Sequence, residues 1–441
     1  MPRFTSRLHI VRAAFAMALF GASAAAVAQP PTPSAGETKA REAFQNGKLD
    51  DALKLLQDAA KANPMLVPKV TVSRWLLEAN QGLQARQWLE RAAADDPAHP
   101  AVLLMNARYA LNEGRITDGI LSSDAALGGA ASPRWDAETR KTFQRDARLL
   151  LIAGYDRRGD NASARAHLVA LLEADPKNPR YRVQLARVHF LTNRPEDAFT
   201  ELTTARKDDP TLDPPELTMA QLWAEKPDFA KADEWYGKAA RAHPTVANVH
   251  RGYAGYLLDR GRLDAAKAPV EAAIKIDPTA RDTKALIGLA ARYAKDYAAA
   301  TAAFEELARD HPNYVFATAN LSLVLAESAD ANRKRRAIEL AEVYVRQNPK
   351  LPEAHAVHGY ALLKNDRLAD AERALLTAAS HGSLSPDAAY FLARVFHQKE
   401  QFEDAQKLLK DALAAQGAFV FRGDAQALLN EVEKRVPAKK P

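Results

Sequence analysis

The sequence predicts an all-α chain, a solenoid of about eleven stacked helix pairs closed by one capping helix. Three observations predict it. First, one position recurs: Ala52, Ala85, Gly119, Ala164, Ala198, Ala232, Ala266, Ala300, Ala337, Ala371 and Ala405 follow one another at spacings of 33, 34, 45, 34, 34, 34, 34, 37, 34 and 34 residues. Roughly one residue in five of the chain is Ala, so this run arises by chance about once in a million registers. Second, small residues recur twelve before the anchor, three further in the repeat of the 37 spacing: Ala40, Ser73, Ala107, Ala186, Ala220, Ala254, Gly288, Ser322, Gly359 and Ala393, with Ile152 departing. Seven after it stand mainly Ala59, Ala92, Ala126, Ala205, Ala239, Ala273, Ala378 and Ala412. Third, Pro64, Pro97, Pro176, Pro210, Pro244, Pro278, Pro312 and Pro349 each fall twelve after an anchor.

Residues 1–28 read as a secretory signal peptide: Arg3, Arg7 and Arg12, then the apolar stretch 13–27, then Ala26-Val27-Ala28 as a small-x-small cleavage pattern. Cleavage is expected after Ala28; an uncleaved anchor is the alternative. The stretch is short and rich in Ala, Gly and Ser for a membrane span, and no later apolar run is long enough for one. Residues 29–36 form a Pro-rich linker and 37–417 the array. The chain has no Cys, which excludes disulfides, thiolate metal sites and Cys nucleophiles. Its formal charge is +6; the leader contributes three arginines and no acid, leaving +3, which gives no argument for nucleic acid.

Within each repeat the spacing predicts two antiparallel helices. Small residues let the backbones approach, and a larger residue four after the anchor, such as Leu56, Leu89, Leu168, Leu202, Tyr236, Phe304, Leu375 or Leu409, fills the space between them. The Pro ends the second helix. Turns are expected at Gly47, Gly114, Gly159, Asn193, Gly261, Asp296 and Asn365. Pro269 falls inside a second helix and is expected to kink it. Two insertions interrupt the period. Near 128–142, Gly128-Gly129 and Ser132-Pro133 predict a break and a loop leading into an elongated helix, with Trp135 either packed on a neighbour or exposed as a contact. Near 329–333, three extra residues are expected to lengthen a turn before the basic run Arg333 to Arg336, read as a solvated helix start. Residues 418–436 are assigned to a capping helix with a stripe of Leu428, Leu429 and Val432, and 437–441 to a frayed tail.

The small-residue position, the paired alanines and the closing Pro make the chain resemble the tetratricopeptide repeat (TPR) family over about residues 33–417, although the aromatic often found near the start of each repeat is mostly missing. The resemblance implies a right-handed superhelix with a concave groove lined by the first helices. It also implies that the position after the small residue faces that groove: Arg41, Arg74, Arg108, Ala153, Arg187, Gln221, Gly255, Leu289, Leu323, Tyr360 and Arg394. Four of the first five are Arg. Val70, Leu104, Leu149, Val183 and Leu217 lie one turn away, with Arg157 and Arg158 close by. Arg41, Arg74, Arg108, Arg187, Leu104 and Arg157 are therefore the candidate partner-binding residues, suited to an acidic or C-terminal-carboxylate peptide. The competing reading pairs these arginines with Glu42, Glu78 or Glu113 of adjacent repeats. The Asn set of the family's carboxylate clamp is absent.

No phosphate loop, HExxH, GxSxG or dinucleotide glycine run occurs. His355 and His358 share a helix face without a third metal ligand. No catalytic residue, cofactor or metal is expected. The expected function is a non-enzymatic protein–protein interaction scaffold in the bacterial envelope, periplasmic or secreted, with a protein or acidic peptide as partner and no nucleic acid. The alternative is an adaptor of a polysaccharide-export or secretion machine; an enzyme with cryptic chemistry is the reading from another class.

Overall fold

A computed structural model describes residues 34–436; the signal-peptide reading and the last five residues lie outside them. The described residues form 23 α-helices and no strand, in two compact units that divide between Leu222 and Trp223.

The N-terminal unit holds α1 (Ala35–Gln45), α2 (Leu49–Ala60), α3 (Pro68–Glu78), α4 (Gly82–Asp95), α5 (Pro100–Asn112), α6 (Ile116–Ala130), α7 (Ala137–Arg158), α8 (Asn161–Ala174), α9 (Pro179–Leu191), α10 (Pro195–Asp208) and the start of α11 (Pro215–Glu225). The C-terminal unit holds α12 (Phe229–Ala242), α13 (Ala247–Asp259), α14 (Leu263–Ile276), α15 (Arg281–Tyr293), α16 (Tyr297–Asp310), α17 (Val315–Ala326), α18 (Ala331–Gln347), α19 (Pro352–Leu363), α20 (Leu368–His381), α21 (Pro386–Gln398), α22 (Phe402–Ala414) and α23 (Arg422–Glu433). In chain order the first 22 make eleven successive pairs.

The periodic positions explain the packing. All eleven anchors are buried, as are the small positions twelve or fifteen before them. The residue four after the anchor enters the space that the small residue leaves. A Cβ on Gly288 would lie 2.6 Å from the Phe304 ring, and one on Gly359 would lie 2.5 Å from Leu375 Cγ, so each glycine is the imprint of its partner side chain. Where the small residue is Ser, a second bond appears. Ser73 Oγ donates to the carbonyl of the anchor Ala85 at 2.6 Å, and Ser322 Oγ to that of Ala337 at 2.8 Å.

The element ends follow local chemistry. From α4 onward, each second helix followed by one of the periodic prolines ends two residues before it, as at Asp95 before Pro97 and Ala174 before Pro176, because proline disfavours helical backbone in the residue before it. Next-repeat helices then open with Pro at their first turn in α3, α5, α9, α19 and α21. The left-handed turn residue is Gly at 47, 114, 159 and 261 and Asn at 193. In two repeats the expected turn residue is displaced by one: Lys295 and Asp366 take the positive φ. Asp296 instead caps α16 by accepting from the Ala299 amide, and Asn365 donates to the carbonyls of Lys334 and Ala361. Glu400 holds the same conformation, φ 59°, as an exposed residue. Glu400→Gly is therefore expected to stabilise the chain by about 0.5–1 kcal/mol, read as a higher urea midpoint at unchanged slope; a lower midpoint contradicts the assignment.

Two expectations are corrected. Gly128 and Gly129 do not break the chain: α6 continues to Ala130, since helical backbone needs no side chain where a neighbour approaches closely, here the Ala98 carbonyl, 3.3 Å from the Gly129 Cβ position. The three extra residues near 330 lengthen a helix rather than a turn: α18 runs 17 residues, capped by Asp330 at the amides of Asn332 and Arg333. α14 passes unbroken through Pro269, which is its seventh residue and buried. Trp135 is packed, 6% exposed, its indole N–H donating to the Gly129 carbonyl at 3.0 Å and its ring edge-on to Phe143 at 5.2 Å. It seals the loop that feeds the 22-residue α7, whose Asp136 cap accepts from Glu138 and Thr139.

Candidate partner-binding groove

Four of the six candidate residues converge. Arg41 of α1, Arg74 of α3, and Leu104 and Arg108 of α5 line one cleft of about 580 Å³ in the N-terminal unit. The repeat places them there: each arginine stands one residue after a buried small position, Ala40, Ser73 or Ala107, so successive first helices present the same register to one side. Met65, Leu66, Val70 and Ala101 supply apolar wall beside the guanidinium groups.

The three arginines are not equivalent. Arg41 pairs with Glu78 of the next repeat at 2.7 Å, both half exposed. Among the described residues no carboxylate reaches ion-pair distance of Arg74 or Arg108. Burial pushes the Arg108 pKa down from its ordinary value, Asp146 opposes that shift, and the positive charge of Arg74 adds to it. Asp146 is itself bonded to Arg145 at 3.0 Å, and burial raises its carboxyl against the two arginines. The cleft thus carries two neighbouring cations without a direct counter-ion above one distant, partly satisfied acid. Glu37, Glu42 and Glu78 also line the cleft, so it is not uniformly basic.

The other two candidates are engaged elsewhere. Arg157 on α7 donates to the Leu111 carbonyl at the end of α5, closing the exposed C-terminus of that helix. Arg187 on α9 lies 3.7 Å from Asp156 of the preceding repeat. Residues that the sequence reading missed are Phe143 and Asp146 in the cleft lining; the elongation of α7 obscured their place in the period.

In the C-terminal unit the corresponding faces are covered. Residues 415–421, between α22 and α23, run back across earlier first helices. The Ala418 amide donates to the Asp259 carbonyl at the end of α13, at 2.8 Å. The Val420 amide donates to Asp387 Oδ1 of α21 at 3.1 Å. Phe421 lies 5.5 Å from Tyr360 and 5.4 Å from both Tyr390 and Phe391. Ala418, Phe419, Val420 and Phe421 are all buried. The capping helix begins only at Arg422, with Phe421 as its N-cap: the assignment of 418–421 to it is corrected, because the Ala418 and Val420 amides bond across the groove instead of along a helix axis.

Asp387 also receives Arg292 at 3.3 Å, and Arg292 donates to Asn320 at 3.3 Å. Glu353 accepts from Ser385 at 3.2 Å. Burial, then the negative charge of Asp387, raises the Glu353 carboxyl from 4.5 to about 7, against the pull of Arg292. The folded chain therefore holds a proton that the unfolded chain releases. The resulting stability is full below pH 4.5 and is lost as pH rises through about 7. The gap between those values corresponds to at most about 3 kcal/mol, and solvent at the partly exposed residue reduces it to about 1–2 kcal/mol. Glu353→Gln is expected to flatten stability between these two pH values, measured by urea melts at stepped pH; an unchanged pH profile contradicts this.

His355 is turned to a backbone carbonyl and a second imidazole. His355 Nε2 contacts the Pro349 carbonyl at 2.8 Å and its ring lies 5.1 Å from His381. Among the described residues no group of three His, Cys, Asp or Glu side chains is placed to hold a metal ion, and no helix is long and apolar enough to cross a membrane.

Successive α-helix pairs that repeat one register of small buried residues define the class of α-helical repeat proteins. Family models described as "Tetratricopeptide repeat" match residues 157–223, and residues 38–79 and 357–419. The chain carries tetratricopeptide repeats over these residues. It is similar in structure to yeast Tom70, with 16% identity, 91% of this chain and 95% of that chain covered and a TM-score of 0.36. It is also similar to a tetratricopeptide repeat protein from Parabacteroides merdae (12%, 58% and 99%, TM-score 0.45) and to pilF from Pseudomonas aeruginosa (17%, 48% and 96%, TM-score 0.34). No curated protein matches the chain in sequence. The repeat fold supports a protein–protein interaction scaffold, and the family is generally non-enzymatic.

Proposed function

We propose that the protein is an exported, non-enzymatic scaffold of the bacterial envelope that captures an acidic segment or C-terminal carboxylate of a protein partner in the cleft of its first repeats. One observation carries this reading: Arg74 and Arg108 stand side by side beside an apolar wall, with no carboxylate of the described residues at ion-pair distance. Two forked guanidinium groups match the two oxygens of a carboxylate, and a preformed cleft loses little conformational freedom on binding. The leader-like residues 1–28 support export.

The test uses immobilised peptides ending in an acidic, aliphatic sequence, with amidated and acid-to-amide versions as controls. The wild type is expected to prefer the free acids, and the Arg74→Glu, Arg108→Glu chain to lose that preference. Equal retention of all peptides by both chains overturns the groove reading. Retention of envelope glycan in place of peptide favours an export-machine adaptor.

A further inference from the structure

We propose that the first-helix groove of the C-terminal unit is a second protein-binding site, which takes a non-helical segment of small–aromatic–aliphatic–aromatic order, and that residues 415–421 occupy it until such a segment replaces them. The site is independent of the Arg74–Arg108 cleft.

The occupant itself defines the recognition chemistry. Ala-Phe-Val-Phe, residues 418–421, enters outside any helix or strand and closes in a turn, the Arg422 amide donating to the Phe419 carbonyl at 3.3 Å. Two of its amides meet fixed acceptors, the Asp259 carbonyl and the Asp387 carboxylate. Main-chain bonding of this kind supports any sequence, while side-chain pockets select among them. Phe421 enters the aromatic cluster of Tyr360, Tyr390 and Phe391, and Phe419 lies 6.3 Å from Tyr390. Tyr360 is the groove-facing register position of its repeat, and Asp387 stands two turns before the next, Arg394. The segment therefore lies where the repeat geometry puts a ligand.

Its attachment also differs from that of the repeats. The helix pairs close through small residues and apolar side chains, whereas the segment adds to its aromatic contacts a charged latch of Arg292, Asp387 and Asn320. A permanent core contact of equal size is as stable without buried charge, and a polar latch confers register instead. Gly417, at φ 111°, turns the chain into the groove, and a Cβ there would meet the Asp259 carbonyl at 3.0 Å. A cleft of about 590 Å³ flanks the segment, lined by Arg260, Tyr293, Leu413, Phe419, Val420 and Arg422, so an incoming chain reaches its edge from solvent. The segment is helix-free and tethered by α22 and α23, so opening it leaves the small-residue contacts intact.

The probe is a fluorescent, end-blocked heptapeptide of the sequence of residues 415–421, titrated against the full chain by anisotropy. The chain carrying Phe419→Ser and Phe421→Ser, whose own segment is weakened, is expected to bind it at least tenfold more tightly than the wild type. Adding Asp387→Ala is expected to remove that gain, and a peptide with both Phe replaced by Ser should not bind. Arg74→Glu with Arg108→Glu should leave this binding unchanged, so the two sites fail or stand separately. A weakened chain that keeps its helical circular dichroism and binds no peptide overturns the proposal. If that chain loses helix, hydrogen exchange of the wild type decides: the Ala418 and Val420 amides should exchange at least tenfold faster than those of α19 and α21, and equal rates show a permanent core element.

Discussion

Phe304→Ala is expected to destabilise the C-terminal unit by about 3–5 kcal/mol, the range for a large aromatic removed from a core that cannot collapse around the gap. Phe304 is fully buried, and its ring fills the hollow at Gly288 while packing edge-on to Phe316 at 6.2 Å. Gly288→Ala alone should cost about 1–3 kcal/mol from overpacking, partly offset by about 1 kcal/mol of helix propensity. The combination is the informative case. Without the ring, the new methyl group has space, so the double variant should be more stable than the sum of the single effects by at least about 1 kcal/mol. Chemical denaturation followed by helical signal, with hydrogen exchange across α15 to α17 to localise the effect, measures all four chains. Strict additivity would show that the glycine and the phenylalanine are not complementary surfaces.

Charge reversal at both Arg74 and Arg108 is expected to weaken capture of an acidic peptide by at least about 100-fold. A hydrogen bond to a charged group contributes about 1.5–3 kcal/mol, and loss of two corresponds to two or more decades in affinity. Reversal adds repulsion, so Arg74→Gln with Arg108→Gln should fall in the same direction by less. Arg157→Ala provides the contrast. Its guanidinium serves the Leu111 carbonyl, so it should lower stability while the affinity of the folded chain stays within a few fold. Isothermal titration at two salt concentrations separates the cases, because the direct arginine contacts weaken with ionic strength. If Arg157→Ala abolishes binding while the double reversal does not, the cleft has been misplaced.

The repeat was legible because a solenoid writes the same contact many times. Ala52, Ala164 and Ala371 are each ambiguous alone, but they hold the same position in their repeats, and each is fully buried. The register of the first helices also brought Arg41, Arg74, Leu104 and Arg108 to one cleft. What escaped were contacts set by tertiary approach rather than by period. Nothing in the sequence around Arg157 distinguishes an arginine that faces a groove from one that closes a helix end. Residues 415–421 had no repeat partner to be aligned with, and their bonds reach back more than a hundred residues to Asp259. The Gly128-Gly129 pair was read by local propensity, which the packing of α6 overrides.

The serine bonds at Ser73 and Ser322 span twelve and fifteen residues and end on the same carbonyl of the repeat. The array therefore measures distance from contact to contact and not along the chain. Three residues amount to nearly one helical turn, so a whole turn added at the start of a second helix grows toward solvent and returns every later side chain to its former bearing. The beginnings of second helices are thus places where foreign sequence of turn-sized length can be spliced without disturbing either groove, a practical port for labels and tethers.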